Sequence, residues 1–101
     1  MSDNVERVTA VPKKTVKLAD GQEYPVSKMT LRDAKIIIPA LKKLDTLRSS
    51  GDVTVELLEQ MQEISFQILV RDNPTMTKEQ VEVLTEIDTV YLLVALATGV
   101  A

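Results

Sequence analysis

Apolar and polar positions follow two different rhythms along this chain. Residues 14–18 and 23–26 are brief extended runs with Asp20-Gly21 between them. A two-residue turn of this kind places both central residues at positive φ, which Asp and Gly tolerate best, so the pattern predicts a β-hairpin over 14–26. Pro25 lies inside the second run and restricts it to an edge or a short ladder. A lone two-stranded hairpin is marginal in water and needs helices to pack on. Beyond it the rhythm changes to steps of three and four. Ala34, Ile37, Ile38, Leu41 and Leu44 make one stripe of a helix expected over 31–47, with Lys35, Lys42, Lys43 and Asp45 mostly on its other side. Thr30 is placed to cap that helix, and Asp33 puts an acid in its first turn. Pro39 lacks an N–H and crowds the carbonyl of Lys35, so a kink or a junction of two short helices is expected there.

After the 48–51 loop, a second helix begins near Asp52 or Thr54. Leu57, Leu58, Met61, Ile64, Ser65, Ile68 and Leu69 form its broad apolar stripe, and Glu56, Gln60, Glu63 and Gln67 its polar face. At 100° per residue, Val55, Phe66 and Val70 fall opposite the main stripe. Phe66 is then either packed under the hairpin or partly exposed. Asp72-Asn73-Pro74 stops the helix. Thr77 and Gln80 match a capping box that opens a short helix over about 78–85. The last element, 88–98, is apolar nearly all round, which makes it central to the core or covered by another chain. Its length, its Ala and Leu content and Gly99 as a stop favour a helix over a buried strand. The expected fold is mainly α, a small domain of about four helices over 14–101 with an N-terminal β-hairpin. Residues 1–13 lack periodicity, hold a Pro and are expected to be a mobile arm.

Composition narrows the chemistry. The chain of 101 residues has only three aromatic residues, Tyr24, Phe66 and Tyr91, so its core must be aliphatic. Without cysteine there is neither a disulfide framework nor a thiolate metal site. Without histidine, the commonest general base and metal ligand is missing too. Gly21, Gly51 and Gly99 stand apart, so no phosphate-cradling loop exists. Glu59 and Glu63 lie one helical turn apart, but no third convergent ligand accompanies them, and they read as a solvated acidic face. No enzyme activity, cofactor or metal is expected. The longest apolar run, 90–97, falls well short of the roughly 20 residues of a membrane span, and 1–6 is polar with no apolar signal segment after it. A soluble, cytoplasmic-type protein with no membrane partner is expected.

Charge is divided unevenly. Residues 1–50 hold ten basic and six acidic side chains, net +4, whereas 51–101 hold two basic and nine acidic, net −7. The two halves are either solvated faces or complementary ends that steer self-association or a partner. The helices after Pro74 cannot serve as a helix-turn-helix, because the second would present Leu, Val and Ala to the groove from an acidic half. A basic patch of Lys13, Lys14, Lys17, Lys28, Arg32 and Lys35 would make only salt-sensitive phosphate contacts. No nucleic-acid partner is expected.

The order of these signals resembles that of the tail assembly chaperones of long-tailed phages and related prophages. The likeness rests on Val16-Lys-Leu-Ala-Asp-Gly21, then Met29-Thr-Leu-Arg-Asp33, then Pro39 inside Ile-Ile-Ile-Pro-Ala-Leu. It continues through Asn73-Pro74 with the Thr77 to Gln80 cap, and ends on Asp88 before an apolar helix. It spans roughly residues 14–99. The resemblance implies binding of the tape measure protein, a long and largely helical partner rich in apolar stripes, which is kept extended and soluble until tail tube protein replaces the chaperone. It also implies action in the host cytoplasm without ATP or cofactor, absence from the mature virion, and, in many relatives, a longer frameshifted form of the same chain.

The family maps no fixed binding residues onto this sequence. The chain itself suggests two partner surfaces. One is Tyr91, Leu92, Leu93 and Leu96, which cannot all face inward at once; the other is the Val55, Phe66 and Val70 patch. Weak self-association is compatible with either. The alternative is a small structural tail or head–tail protein that assembles into a ring, for which charge polarity and an apolar terminal helix serve equally well.

Overall fold

The structure, a computed structural model, describes residues 14–100; the arm expected over 1–13 lies outside the described residues. Strands β1 (Lys14–Lys17) and β2 (Glu23–Val26) pair antiparallel. Helices α1 (Leu31–Arg48), α2 (Val55–Leu69), α3 (Lys78–Leu84) and α4 (Ile87–Thr98) follow. The fold is mainly α with an N-terminal hairpin, as the hydrophobic pattern predicts.

The hairpin turn differs from the expected two-residue form. Gly21 N–H donates to the Leu18 carbonyl at 2.9 Å, and Leu18 N–H donates to the Gln22 carbonyl at 3.1 Å. Ala19, Asp20 and Gly21 therefore form a three-residue loop in which only Gly21, at φ 80°, is left-handed. The Asp20 carboxylate favours this loop by accepting the Gln22 N–H and the Tyr24 O–H. Those bonds, the Tyr24 one foremost, hold the Asp20 carboxyl below its usual range and push the Tyr24 hydroxyl up. Bonded and non-bonded pairs alternate along an antiparallel ladder. With Leu18 and Gln22 bonded, Thr15 and Pro25 form a non-bonded pair, so the missing proline N–H costs the ladder nothing. Val16, Leu18 and Val26 are buried on one face of the hairpin, with Tyr24 partly buried beside them.

Helix α1 runs unbroken through Pro39, and the expected junction of two short helices does not occur. Pro39 and Lys35 are both exposed, so the carbonyl that loses its partner lies on the solvent side, where such groups are tolerated. Thr30 and Asp33 form a reciprocal capping box: Asp33 N–H donates to Thr30 Oγ1 at 3.2 Å, and Thr30 N–H donates to Asp33 Oδ2 at 3.1 Å. Ile37 and Leu44 are buried, flanked by Ala40, Leu41 and Leu47, while Ile38 turns outward from the stripe assigned to it.

The core is organised on α2, which packs against α1, α3, α4 and β2. Thr54 rather than Asp52 caps it, accepting the Leu57 N–H at 3.1 Å. Ser65, its buried hydroxyl, donates to the Met61 carbonyl at 2.8 Å and leaves no unmet polar group. Thr77 and Gln80 form the predicted box at 3.1 and 2.9 Å. Helix α4 ends at Gly99, φ 84°, with Val100 N–H on the Ala95 carbonyl and Gly99 N–H on the Leu96 carbonyl, the Schellman pattern.

The chain leaving the hairpin is held to the end of α2 by three consecutive residues. Arg71 donates to the carbonyls of Ser27 at 2.6 Å, Lys28 at 3.3 Å and Ile68 at 3.2 Å, and to Asp33 Oδ2 at 2.9 Å. Asp72 Oδ2 accepts both the N–H and the hydroxyl of Ser27. The Asn73 side chain donates to the Leu69 carbonyl at 2.9 Å and the Pro25 carbonyl at 3.4 Å. Backbone bonds extend this seam: Met29 N–H meets the Ala97 carbonyl at 2.8 Å, and Ala19 N–H meets the Leu84 carbonyl at 2.8 Å. Each satisfies an otherwise orphaned carbonyl at a helix end.

The Asp33 carboxyl sits below its usual range, first through the Thr30 N–H and then through Arg71. A depressed carboxyl contributes stability above its unfolded value, near 4, and loses it as pH falls through the folded value. Arg71→Met is expected to cost about 2 kcal/mol at neutral pH, the scale of charge-assisted hydrogen bonds. The gap from wild type should narrow below about 4, as pH falls through the depressed folded value and the carboxylate partner takes up its proton. Urea unfolding at several pH values reads both effects, and a gap independent of pH would show that Asp33 does not hold Arg71.

Candidate interaction groove

The broad stripe on α2 is wider than one neighbouring helix can cover, and its margin opens into a groove. Helix α3 meets only α2, and just Thr85 and Glu86, both extended, separate it from α4. Between the first half of α2, the end of α3 and the start of α4 lies a cavity of about 360 Å³. Buried Met61, Ser65, Val81 and Val90 form its floor. Val55 (70% exposed), Leu58 and Ile87 (54% exposed) form an apolar rim. Glu59 and Glu82 are the ionisable residues lining it. Thr85 Oγ1, in the wall, is buried with no hydrogen-bond partner among the described residues.

Lys78 fixes the beginning of α3 beside this groove. Its ammonium lies 2.9 Å from Glu63 Oε2 and 5.6 Å from the centre of the Phe66 ring, and its carbonyl accepts the Gln62 side chain at 2.9 Å. A second, polar cleft of about 440 Å³ adjoins it, lined by Lys43, Lys78 and the α2 residues Glu56, Glu59, Gln60, Gln62 and Glu63. Among the described residues no group of three or more acids could hold a metal ion, and Glu63 of the Glu59/Glu63 pair is engaged by Lys78. Among them, too, no helix is long and apolar enough to cross a membrane.

The seven residues expected to bind a partner separate into distinct environments. Leu93, fully buried, and Leu96 belong to the core and offer no surface, because α4 buries its 90, 93, 96 and 97 face against α2 and the hairpin. Tyr91 and Leu92 (45% exposed) point away, and Arg48 lies over the Tyr91 ring at 4.9 Å from its centre. The Val55, Phe66 and Val70 patch does not form one surface. Eleven residues of helix separate Val55 from Phe66 by about 16 Å; Phe66 is half-buried with Lys78 over its ring, and Val70 is partly buried at the end of α2. Val55 alone joins the groove. Leu58 and Ile87, its other rim residues, were missing from the expected set. The width of the α2 stripe was the signal that pointed to Leu58; Ile87 had none beyond its place before Asp88.

Comparison with protein-family models, with curated proteins and with solved structures gives no match.

Two substitutions follow from this geometry. Leu93→Asp buries a charge without a partner and should abolish cooperative unfolding, whereas Leu92→Asp should stay within about 1 kcal/mol of wild type. Circular dichroism melts separate them, and equal melting would place both on the surface. Thr85→Val replaces an unpaired hydroxyl by a methyl of the same shape at an extended position, and should stabilise the fold by about 1 kcal/mol. A loss of that size in the same assay would mean that the hydroxyl is paired.

Proposed function

We propose that this chain is a tail assembly chaperone that binds the tape measure protein and keeps it soluble while a phage tail is built. The observation that carries the reading is the apolar groove beside α2, whose rim residues Val55, Leu58 and Ile87 remain open to solvent. An exposed apolar concavity of this kind suits an amphipathic partner. The ordered capping and turn signals described above support it, and so does a sequence with no histidine or cysteine for chemistry. The chain acts by binding alone, in the host cytoplasm, and is displaced by tail tube protein before the virion matures.

A ring-forming tail or head–tail protein is the second reading. It is favoured by α1, which exposes Leu31, Ile36 and Ile38 among Arg32, Lys35, Lys42 and Lys43, opposite in charge to the acidic second half of the chain.

Co-expression with the tape measure protein encoded nearest to it is expected to raise that protein's soluble fraction, and the two should co-elute on a sizing column. A tape measure protein that stays insoluble, together with a closed-ring mass for this chain alone, would replace the chaperone by the structural protein.

A further inference from the structure

We propose that the groove between α2, α3 and α4 selects a basic amphipathic helix: about three turns with an apolar stripe flanked by Lys or Arg. The inference deepens the chaperone reading and rests on it for the partner's identity, but the chemistry comes from the groove.

Charge selects the flanks of the occupant. The three helices that line the groove carry six acidic residues, Glu56, Glu59, Glu63, Glu79, Glu82 and Asp88, and one basic residue, Lys78. Lys78 is paired with Glu63 at 2.9 Å. Of the ionisable residues, Glu59 and Glu82 line the groove itself, one on α2 and one on α3. An occupant with acidic flanks would meet like charge on both walls, whereas Lys or Arg there finds a complementary field.

Backbone chemistry selects a helix over an extended segment. All the wall residues stand on helices or on the two-residue link between α3 and α4, so no free strand edge is offered to an extended segment. An extended chain would bury unpaired N–H and C=O groups, whereas a helix satisfies its own. From Val55 to Ser65 the α2 wall runs about 15 Å, the length of roughly three turns. The occupant's apolar residues at steps of three and four would then lie on Met61, Val81 and Val90, between Val55 and Ile87.

Fluorescence anisotropy with two labelled peptides of about 14 residues tests this. Both carry the same Leu/Ala stripe, flanked by Lys in one and by Glu in the other. The full chain should bind the Lys peptide at least about tenfold more tightly, and raising salt from about 0.05 M to about 0.5 M should remove most of the difference. The double variant Glu59→Lys, Glu82→Lys should reverse the preference. Val55→Ser with Ile87→Ser, both at exposed positions, should weaken both peptides, while Leu92→Ser should change neither. Equal binding of the two peptides overturns the charge selection, and binding of neither overturns the groove. If neither binds yet co-expression still solubilises the tape measure protein, the chaperone reading survives on another surface. If the Lys peptide binds and co-expression fails, the groove stands and the partner is a different basic helix.

Discussion

The Arg71 guanidinium, held between the carbonyls of Ser27, Lys28 and Ile68 and the carboxylate of Asp33, is the constraint on which the remaining geometry depends. One planar group joins the exit of the hairpin, the first turn of α1 and the last turn of α2. Its charge also suits a helix C-terminus, where unpaired carbonyls concentrate partial negative charge. Asp72 and Asn73 add bonds to the same backbone from the next two positions, so register between hairpin and helix is set by three adjacent side chains. Once that register is set, the Met29 N–H reaches the Ala97 carbonyl, and the Val16 and Val26 face closes over α2 and α4. A two-strand ladder too short to persist alone thereby becomes a permanent wall of the core.

The same arrangement leaves one side open. Helix α3 has seven residues and rests on α2 alone, fixed at its start by Lys78 and at its end by the hairpin loop through Ala19. Only Thr85 and Glu86 connect it to α4. Neither helix can shift across the first turns of α2 without breaking one of those ties. Val55 and Leu58 therefore stay uncovered although they continue the apolar surface of the core. The groove is a consequence of short connections rather than of a loosely packed interior: its floor residue Val81 is fully buried, as is Ile64 of α2.

Features encoded within a few residues were legible in the sequence. The Thr30 and Thr77 caps, the Gly99 stop and the α2 stripe all depend on neighbours three to seven positions away, and the structure places them as expected, save that Leu58 of the stripe lies exposed at the groove rim. The hairpin loop gained a residue because Asp20 accepts bonds from Gln22 and Tyr24, side-chain chemistry that the Asp-Gly pair does not reveal. Arg71 was invisible as a clamp, since its partners at 27, 28 and 33 lie some forty positions away, and Asp72-Asn73 read as a helix stop alone. The candidate site suffered in the same way. A helical wheel puts Val55 and Phe66 on one side but says nothing of the three turns between them, nor of Lys78 covering the ring. An apolar run such as 90–97 cannot show which residues face inward until a neighbour is in place, and so Leu93 and Leu96 were grouped with Leu92.

Charge division bears on how such an apolar opening meets other copies of the chain. Exposed apolar rims favour association of copies through their grooves. Here any two grooves that approach bring together helices carrying the same excess of carboxylates, and like charges oppose that contact over a range of about 8 Å at physiological salt. The same carboxylates would attract a basic segment and favour its encounter. That attraction adds little to the strength of the final contact, because exposed ion pairs contribute only about 0–1 kcal/mol each. Affinity is then left to a small apolar area and stays modest, which under the proposed chaperone function would suit a partner that must later be given up. A larger or deeper apolar site would hold that partner longer, and would also remove the reason for the acidic field.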